Sequence, residues 1–231
     1  MANISGFTLP DENTLLESRQ LLRRVGCQFH WTNRGYSDFG DFLGALSSGK
    51  RKNIRKERRK GEDVGITFRL LNGHTAADKD WATFHRFYEN TFDRRGGIPT
   101  LSRRFFERIA HEMPDQVLLV MCDDGGDPVA SAFCLVGDDT LYGRHWGCEG
   151  HVDSLHFEAC YYQGIEFCIR NGLKRFEPGA QGEHKIPRGF LPTETLSAHW
   201  IADPRFQEAI AKHLDYERDG MAGYGHRERF G

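Results

Sequence analysis

Between Trp81 and Phe92 the apolar residues Trp81, Phe84, Phe87, Tyr88 and Phe92 recur at three- and four-residue intervals. That spacing predicts a long helix over Asp78–Arg95 with an aromatic face turned to a core. A second helix follows, capped by Ser102, carrying Phe105, Phe106 and Ile109, and ended by Pro114. The period then changes. Val117–Cys122, Pro128–Val136 and Thr140–Cys148 are apolar runs of strand length. Asp124-Gly125-Gly126-Asp127 and Gly137-Asp138-Asp139 join them as short turns, so the run predicts an antiparallel meander.

Further along, Asp153-Ser154 caps a helix from Leu155 to Arg170, ended by Asn171-Gly172. Lys174–Glu177 reads as a short strand, Pro178–Pro192 as a polar loop and Glu194–Ile201 as a strand. Asp203-Pro204 opens a last helix to Arg218. Near the start, residues 4–9 predict a strand. Pro10-Asp11 opens a helix with Leu15, Leu16, Leu22 and Val25 on its apolar side and Gly26 just past its end. Gln28–Trp31 predicts a strand closed by the turn Thr32–Gly35. Asp38 caps a short helix through Phe39, Phe42, Leu43 and Leu46. Ile66–Leu71 is a strand with Asn72-Gly73 as its turn. This order describes an α+β domain with a mixed sheet.

The chain's 231 residues are expected to form one domain over residues 1–219, with a loose tail at 220–231. Aromatic residues at 12% exclude a disordered chain. No apolar run approaches the ~18 residues of a membrane span, and the first residues lack a secretory pattern. The six cysteines form no CxxC pair and sit mostly in apolar stretches, as reduced thiols of a cytoplasmic protein do.

The formal net charge of −2 hides a polarised distribution. Lys50–Lys60 holds eight basic residues against Glu57 alone, so this segment is +7 and the rest of the chain −9. Helix formers dominate it, and Ile54 is the one apolar residue inside the run. Such a helix is a solvated face, a grip on the phosphates of a nucleic acid or coenzyme, or a contact to anionic lipid. It lacks the apolar face an interfacial helix needs. The mutual repulsion of its cations favours a phosphate partner.

The densest chemistry lies between Phe176 and Phe190. Gln181, Glu183, His184, Lys185 and Arg188 offer acceptors, a base and cations within one loop, and Gly179 and Gly182 permit close backbone approach. A solvated surface loop would also be polar, but this one follows a strand end, where function concentrates. On the preceding helix, Glu158 and Tyr162 are four apart and share a face. Core packing and a site role are both open to them. His145, Cys148, His151, His156 and Cys160 lack the paired spacing of structural zinc sites, so no metal site is expected. No Walker loop or GxGxxG motif is present.

Several stretches together resemble FemAB-like acyltransferases. They are Gln28-Phe29-His30-Trp31, Gly35-Tyr36, Ser47-Ser48-Gly49-Lys50-Arg51-Lys52-Asn53-Ile54-Arg55, and the helix with Phe84, Tyr88, Thr91 and Arg94. Gly179–Lys185, Arg188-Gly189-Phe190 and Ser197-Ala198-His199-Trp200 complete the likeness, which covers nearly the whole chain. It implies a GNAT-like (acyl-CoA N-acyltransferase) fold with a mixed, mostly antiparallel sheet flanked by helices. It also implies transfer of an acyl or aminoacyl group to a small-molecule or peptide amine in cell-wall peptide metabolism. No tightly bound cofactor is implied; acyl-CoA or aminoacyl-tRNA would be the co-substrate, making tRNA a partner. Members of the family are usually longer, so this chain resembles their later half, to be completed by another GNAT-like half or a homodimer. Gly147-Cys148-Glu149-Gly150-His151 stands where the GNAT pyrophosphate loop would be, which argues for a donor other than acetyl-CoA.

A transfer of this kind needs a base for the amine proton, donors for the oxyanion and groups that orient the donor, and the following residues are expected to fill those roles. Glu183 or His184 is the base. Gln181, Lys185 and Arg188 polarise the carbonyl or hold an anionic group. Glu158 orients the amine, with Tyr162 beside it on the substrate. Lys50, Arg51, Arg55 and Arg58 hold the donor's phosphates. Direct transfer without a covalent intermediate fits these residues. The alternative is a non-catalytic binding module for cell-wall peptide or nucleic acid, which would keep the basic helix and tolerate loss of the loop constellation.

Overall fold

The computed structural model describes residues 2–6, 21–150, 153–179 and 182–228. The chain divides into two compact units, where the sequence suggested one domain.

The larger unit takes in His30–Gly179 and Glu183–Phe190. Its strands are the end of β2 (Leu22–Thr32), β3 (Ile66–Leu71), β4 (Val117–Asp124), β5 (Asp127–Val136), β6 (Thr140–Cys148) and β7 (Arg175–Glu177), in the order β2-β7-β6-β5-β4-β3. Neighbours are antiparallel except β6 and β7, which run parallel. This is the mixed, mostly antiparallel sheet flanked by helices expected of a GNAT-like domain. β4 is buried from Val117 to Asp123, so its continuous apolar run reflects cover on both faces.

Helices α1 (Phe39–Gly44), α2 (Ser48–Asp63), α3 (Asp78–Arg95) and α4 (Arg103–Glu112) belong to this unit. The aromatic face of α3 lies where its spacing predicted. Trp81, Phe84 and Tyr88, with Phe106 of α4, close over Val117, Leu119, Met121 and Phe133. Each such buried side chain contributes about 1.5–3 kcal/mol. Asp38 caps α1 by accepting from the Asp41 N–H at 2.8 Å, and Ser102 caps α4.

Helix α5 spans residues 155–170 but is not uniform. Leu155–Phe157 and Gln163–Arg170 are α-helical, and Glu158–Tyr162 between them form a π-turn. The uniform 3.6-residue helix read from the sequence is therefore corrected.

Among the described residues, the smaller unit includes residues 2–6, 21–29, 182 and 191–228. Its strands are β1 (Ala2–Gly6), β8 (Leu191–Ile201) and the first part of β2, in the order β1-β8-β2. β1 pairs antiparallel with β8, Ala2 opposite Ile201. The helix expected from Pro10 begins outside the described residues, and its far end is corrected: Leu22 and Val25 lie in β2. Val25, Cys27, Phe29 and Trp31 alternate with Arg24, Gly26, Gln28 and His30, a strand's period of two. Gly26 is not a helix stop. A Cβ there would lie 2.9 Å from Thr195 Oγ1, so glycine admits the neighbouring strand. Arg24 donates to both Glu217 oxygens at 2.9 and 2.6 Å, tying β2 to α6 (Pro204–Glu228). The helix α6 runs past Gly220, where a loose tail was expected. Among the described residues no helix is long and apolar enough to cross a membrane.

Candidate functional site

The π-turn sets the site's geometry. An extra residue in one helical turn shifts the phase of the residues after it, so Tyr161 and Tyr162 serve different partners. The Tyr162 hydroxyl donates to Glu57 of α2, and the Tyr161 hydroxyl lies 2.8 Å from His184 Nε2. The same geometry brings Gln163 Nε2 within 2.8 Å of Glu158 Oε1, five residues back.

Glu158 is buried and held by α2. Arg58 reaches Glu158 and also Glu166 Oε2, each at 3.0 Å, and its guanidinium lies 4.4 Å from the centre of the Phe39 ring. Burial pushes the Glu158 carboxyl up, and Arg58 pulls it back. Glu158 and Arg58 thus pair with each other across the helices, although one was expected at an amine and the other at a phosphate.

Helix α2 has two chemically distinct faces. Ile54, Glu57 and Gly61 are buried. Lys60 pairs with Asp153 at 2.5 Å, and Arg51 donates to the Gly44 carbonyl at 3.3 Å. Lys52 and Arg55 are exposed and, among the described residues, meet no acidic side chain. They line an open depression of about 660 Å³ with Arg51, Arg58, Arg59 and one acid, Glu62, beside Phe39 and Leu43. Lys50 lies on the same helix but does not line it.

The loop after β7 folds as a 3-10 turn over Glu183–Arg188. Arg188 is 6% exposed and Lys185 2%. Arg188 donates to Glu57 at 3.0 and 2.6 Å, and its guanidinium lies 3.4 Å from the centre of the Phe157 ring. Lys185 Nζ donates to the Gly179 carbonyl at 2.6 Å, closing the loop on itself. Burial lowers the Lys185 ammonium to about 8. His184 is exposed, yet partial desolvation and the cations of Arg188 and Lys185 hold it below its ordinary value. Glu183 is also exposed. Gln181 lies outside the described residues.

An opening of about 260 Å³ lies where β6 and β7 part. The two strands pair over Thr140–Tyr142 and Arg175–Glu177. Then Gly143 passes Pro178 so closely that a Cβ would lie 3.1 Å from its Cα. Arg144 is the extra residue of a bulge, since Cys134 pairs with Gly143 and Phe133 with His145. Arg144, Trp146, His156, Cys160 and Tyr161 line the opening. Burial pushes the Tyr161 hydroxyl up and holds the Cys160 thiol well above its usual range. Both are protonated near neutrality. His145 stacks on Phe133 and packs edge-on against Tyr88, and burial keeps it neutral.

The sequence reading therefore brought together His184, Lys185, Arg188 and Tyr162, with Glu158 and Arg58 forming an adjacent pair. It missed Glu57, Tyr161, Arg144 and Trp146. Glu57 did carry a signal, as the sole acid in the basic run. Among the described residues no three His, Cys, Asp or Glu side chains gather as a metal site.

No curated protein matches this chain in sequence. Solved structures match in fold. L-PGS from Bacillus licheniformis is 10% identical over 91% of this chain and 72% of its own, with a TM-score of 0.63. The C-terminal domain of a putative lysylphosphatidylglycerol synthetase from Agrobacterium fabrum is 10% identical, covering 94% and 71% at a TM-score of 0.65. FemX is 10% identical, covering 80% and 64% at a TM-score of 0.56. At such identity the likeness is one of fold. A family model described as peptidoglycan biosynthesis/recognition matches residues 3–229, nearly the full length. The chain belongs to the FemAB-like family.

Proposed function

We propose that this chain is a direct-transfer acyltransferase. It moves an acyl or aminoacyl group from an activated donor, acyl-CoA or aminoacyl-tRNA, to an amine of a cell-wall peptide. The observation that carries this reading is the 2.8 Å contact between His184 and Tyr161, which lines the opening beside β6. Family membership supports acyl or aminoacyl transfer as the reaction class, and the loop offers His184, an imidazole held below its ordinary value, as the base.

The amine nitrogen attacks the donor's carbonyl carbon, forming the amide C–N bond and breaking the C–S or C–O bond to the leaving group. The amine's proton passes to the Tyr161 oxygen as the Tyr161 proton moves to His184 Nε2, and the departing sulfur or oxygen then takes it up. His184 is neutral at pH 7 and so accepts; Tyr161 is protonated and so relays. The Cys160 thiol is no thiolate, which favours direct transfer over an acyl-enzyme. Lys52 and Arg55, with Arg51, are the cations best placed for the donor's phosphates.

The test supplies radiolabelled acyl-CoAs and charged tRNA with a lysine-bearing peptide, and with phosphatidylglycerol vesicles as a second acceptor. Label should reach the peptide amine. His184→Ala and Tyr161→Phe should each lower turnover by about 10²-fold, the low end for a lost acid–base group. The donor's stabilisation of the fold should persist in both. Wild-type turnover in both variants would sink the base assignment. Retention of peptide or RNA with no transfer from any donor would establish the binding-module reading instead.

A further inference from the structure

We propose that Glu57 is the positioning residue for the proton relay, acting through Arg188 and Tyr162. This rests on the reading of His184 as the base. Glu57 is the one acid in the basic run, yet it faces away from the exposed cations and is 9% exposed. Both its oxygens are engaged. Oε1 accepts from Asn53 Nδ2 at 2.9 Å and from Arg188 Nη2 at 2.6 Å. Oε2 accepts from Arg188 Nε at 3.0 Å and from the Tyr162 hydroxyl.

Each partner leads to one end of the Tyr161–His184 contact. Arg188 Nη1 donates to the main-chain carbonyl of His184, so the guanidinium fixes the backbone that carries the base. Tyr162 adjoins Tyr161 in the π-turn, so its bond fixes the backbone that carries the relay hydroxyl. One carboxylate thereby sets both halves of a contact whose catalytic value depends on sub-ångström placement. A planar guanidinium gripping a carboxylate through two nitrogens has little angular freedom, and stacking on Phe157 removes more. Stability alone does not call for this arrangement, since well-packed apolar residues commonly replace a buried ion pair without loss.

Glu57→Gln keeps the side chain's shape and removes its charge. The expected result is a fall in kcat of about 30-fold with KM within about threefold, since the lost interaction matters in the transition state. In a His184→Ala background the same change should add nothing, because Glu57 acts through His184. In ¹⁵N-histidine spectra the His184 Nε2 resonance should move as its bond to Tyr161 loosens. Wild-type kcat in a folded Glu57→Gln protein would overturn the proposal. So would a loss that adds fully to that of His184→Ala with the His184 resonance unmoved, which marks a structural role only. Where Glu57→Gln does not fold, Arg188→Lys decides by the same outcomes: it keeps a cation for Glu57 but loses the planar fork that fixes the carboxylate and the His184 carbonyl at once. Full turnover in His184→Ala fells the base assignment, and this inference with it. An inactive His184→Ala beside a fully active Glu57→Gln fells the role of Glu57 alone.

Discussion

His30 shows how one buried side chain ties this fold to pH. Burial, with Arg175 and Lys185, lowers it to about 4 from an ordinary 6.5. Between those values the unfolded chain binds a proton that the folded chain refuses. Stability is therefore complete above pH 6.5 and lost as pH falls toward 4. Urea unfolding at pH 7 and pH 4.5 should show the decline, and His30→Gln should flatten it; an equal decline in the variant would assign it to other groups. His184 predicts a different profile. Because its proton is also held weakly, the acid limb of kcat/KM should lie below pH 6.5 and vanish in His184→Ala. At this scale the sequence was partly legible. His184, Lys185 and Arg188 stood out because a loop rich in charge between two strands has few purely structural uses. Glu57 signalled only as a lone acid, and Tyr161 did not stand out, because a carboxylate in a basic run and a tyrosine in an apolar helix each have a common structural explanation. Only the fold shows that their partners lie more than a hundred and some twenty residues away, respectively.

Helix α2 divides its work between its faces. Ile54 is fully buried, so Ile54→Ala should cost about 2–5 kcal/mol, read as a lower urea midpoint. Lys52→Glu with Arg55→Glu touches only the open side and should leave the midpoint nearly unchanged. The same pair should weaken RNA binding and reduce its salt slope by about 1 per lost phosphate contact. An unchanged slope would leave the outer face a solvated surface. α3 was legible because it keeps one period throughout, the meander because short Gly- and Asp-rich turns bound its runs, and α2 because helix formers dominate it. β2 was misread because Leu22 and Val25 fit a helical stripe as well as a strand, and Thr195, which gives Gly26 its reason, is distant in sequence. The π-turn left no trace in spacing, since a single inserted residue is shorter than any window that measures a period.

Across the whole molecule, protection should be graded. β4 is buried from both sides and flanked by β3 and β5, so its amides should be the last to exchange with solvent. If amides of α2 outlast them, the centre of stability lies elsewhere. The order of elements made the α+β class legible, but the division into two units was not, because each unit is assembled from separated stretches of chain. The parallel pairing of β6 with β7 carries a last consequence. Both strands point the same way and part at their far ends, so the connections that leave them, after Cys148 and after Glu177, depart from the sheet beside the same opening. The connection after Glu177 carries His184, Lys185 and Arg188 and is tied to Glu57, whereas the one after Cys148 carries none of the proposed relay. An acceptor preference carried after Cys148 is free to drift while the base stays put, and exchanging that one connection between relatives is the natural way to transplant it.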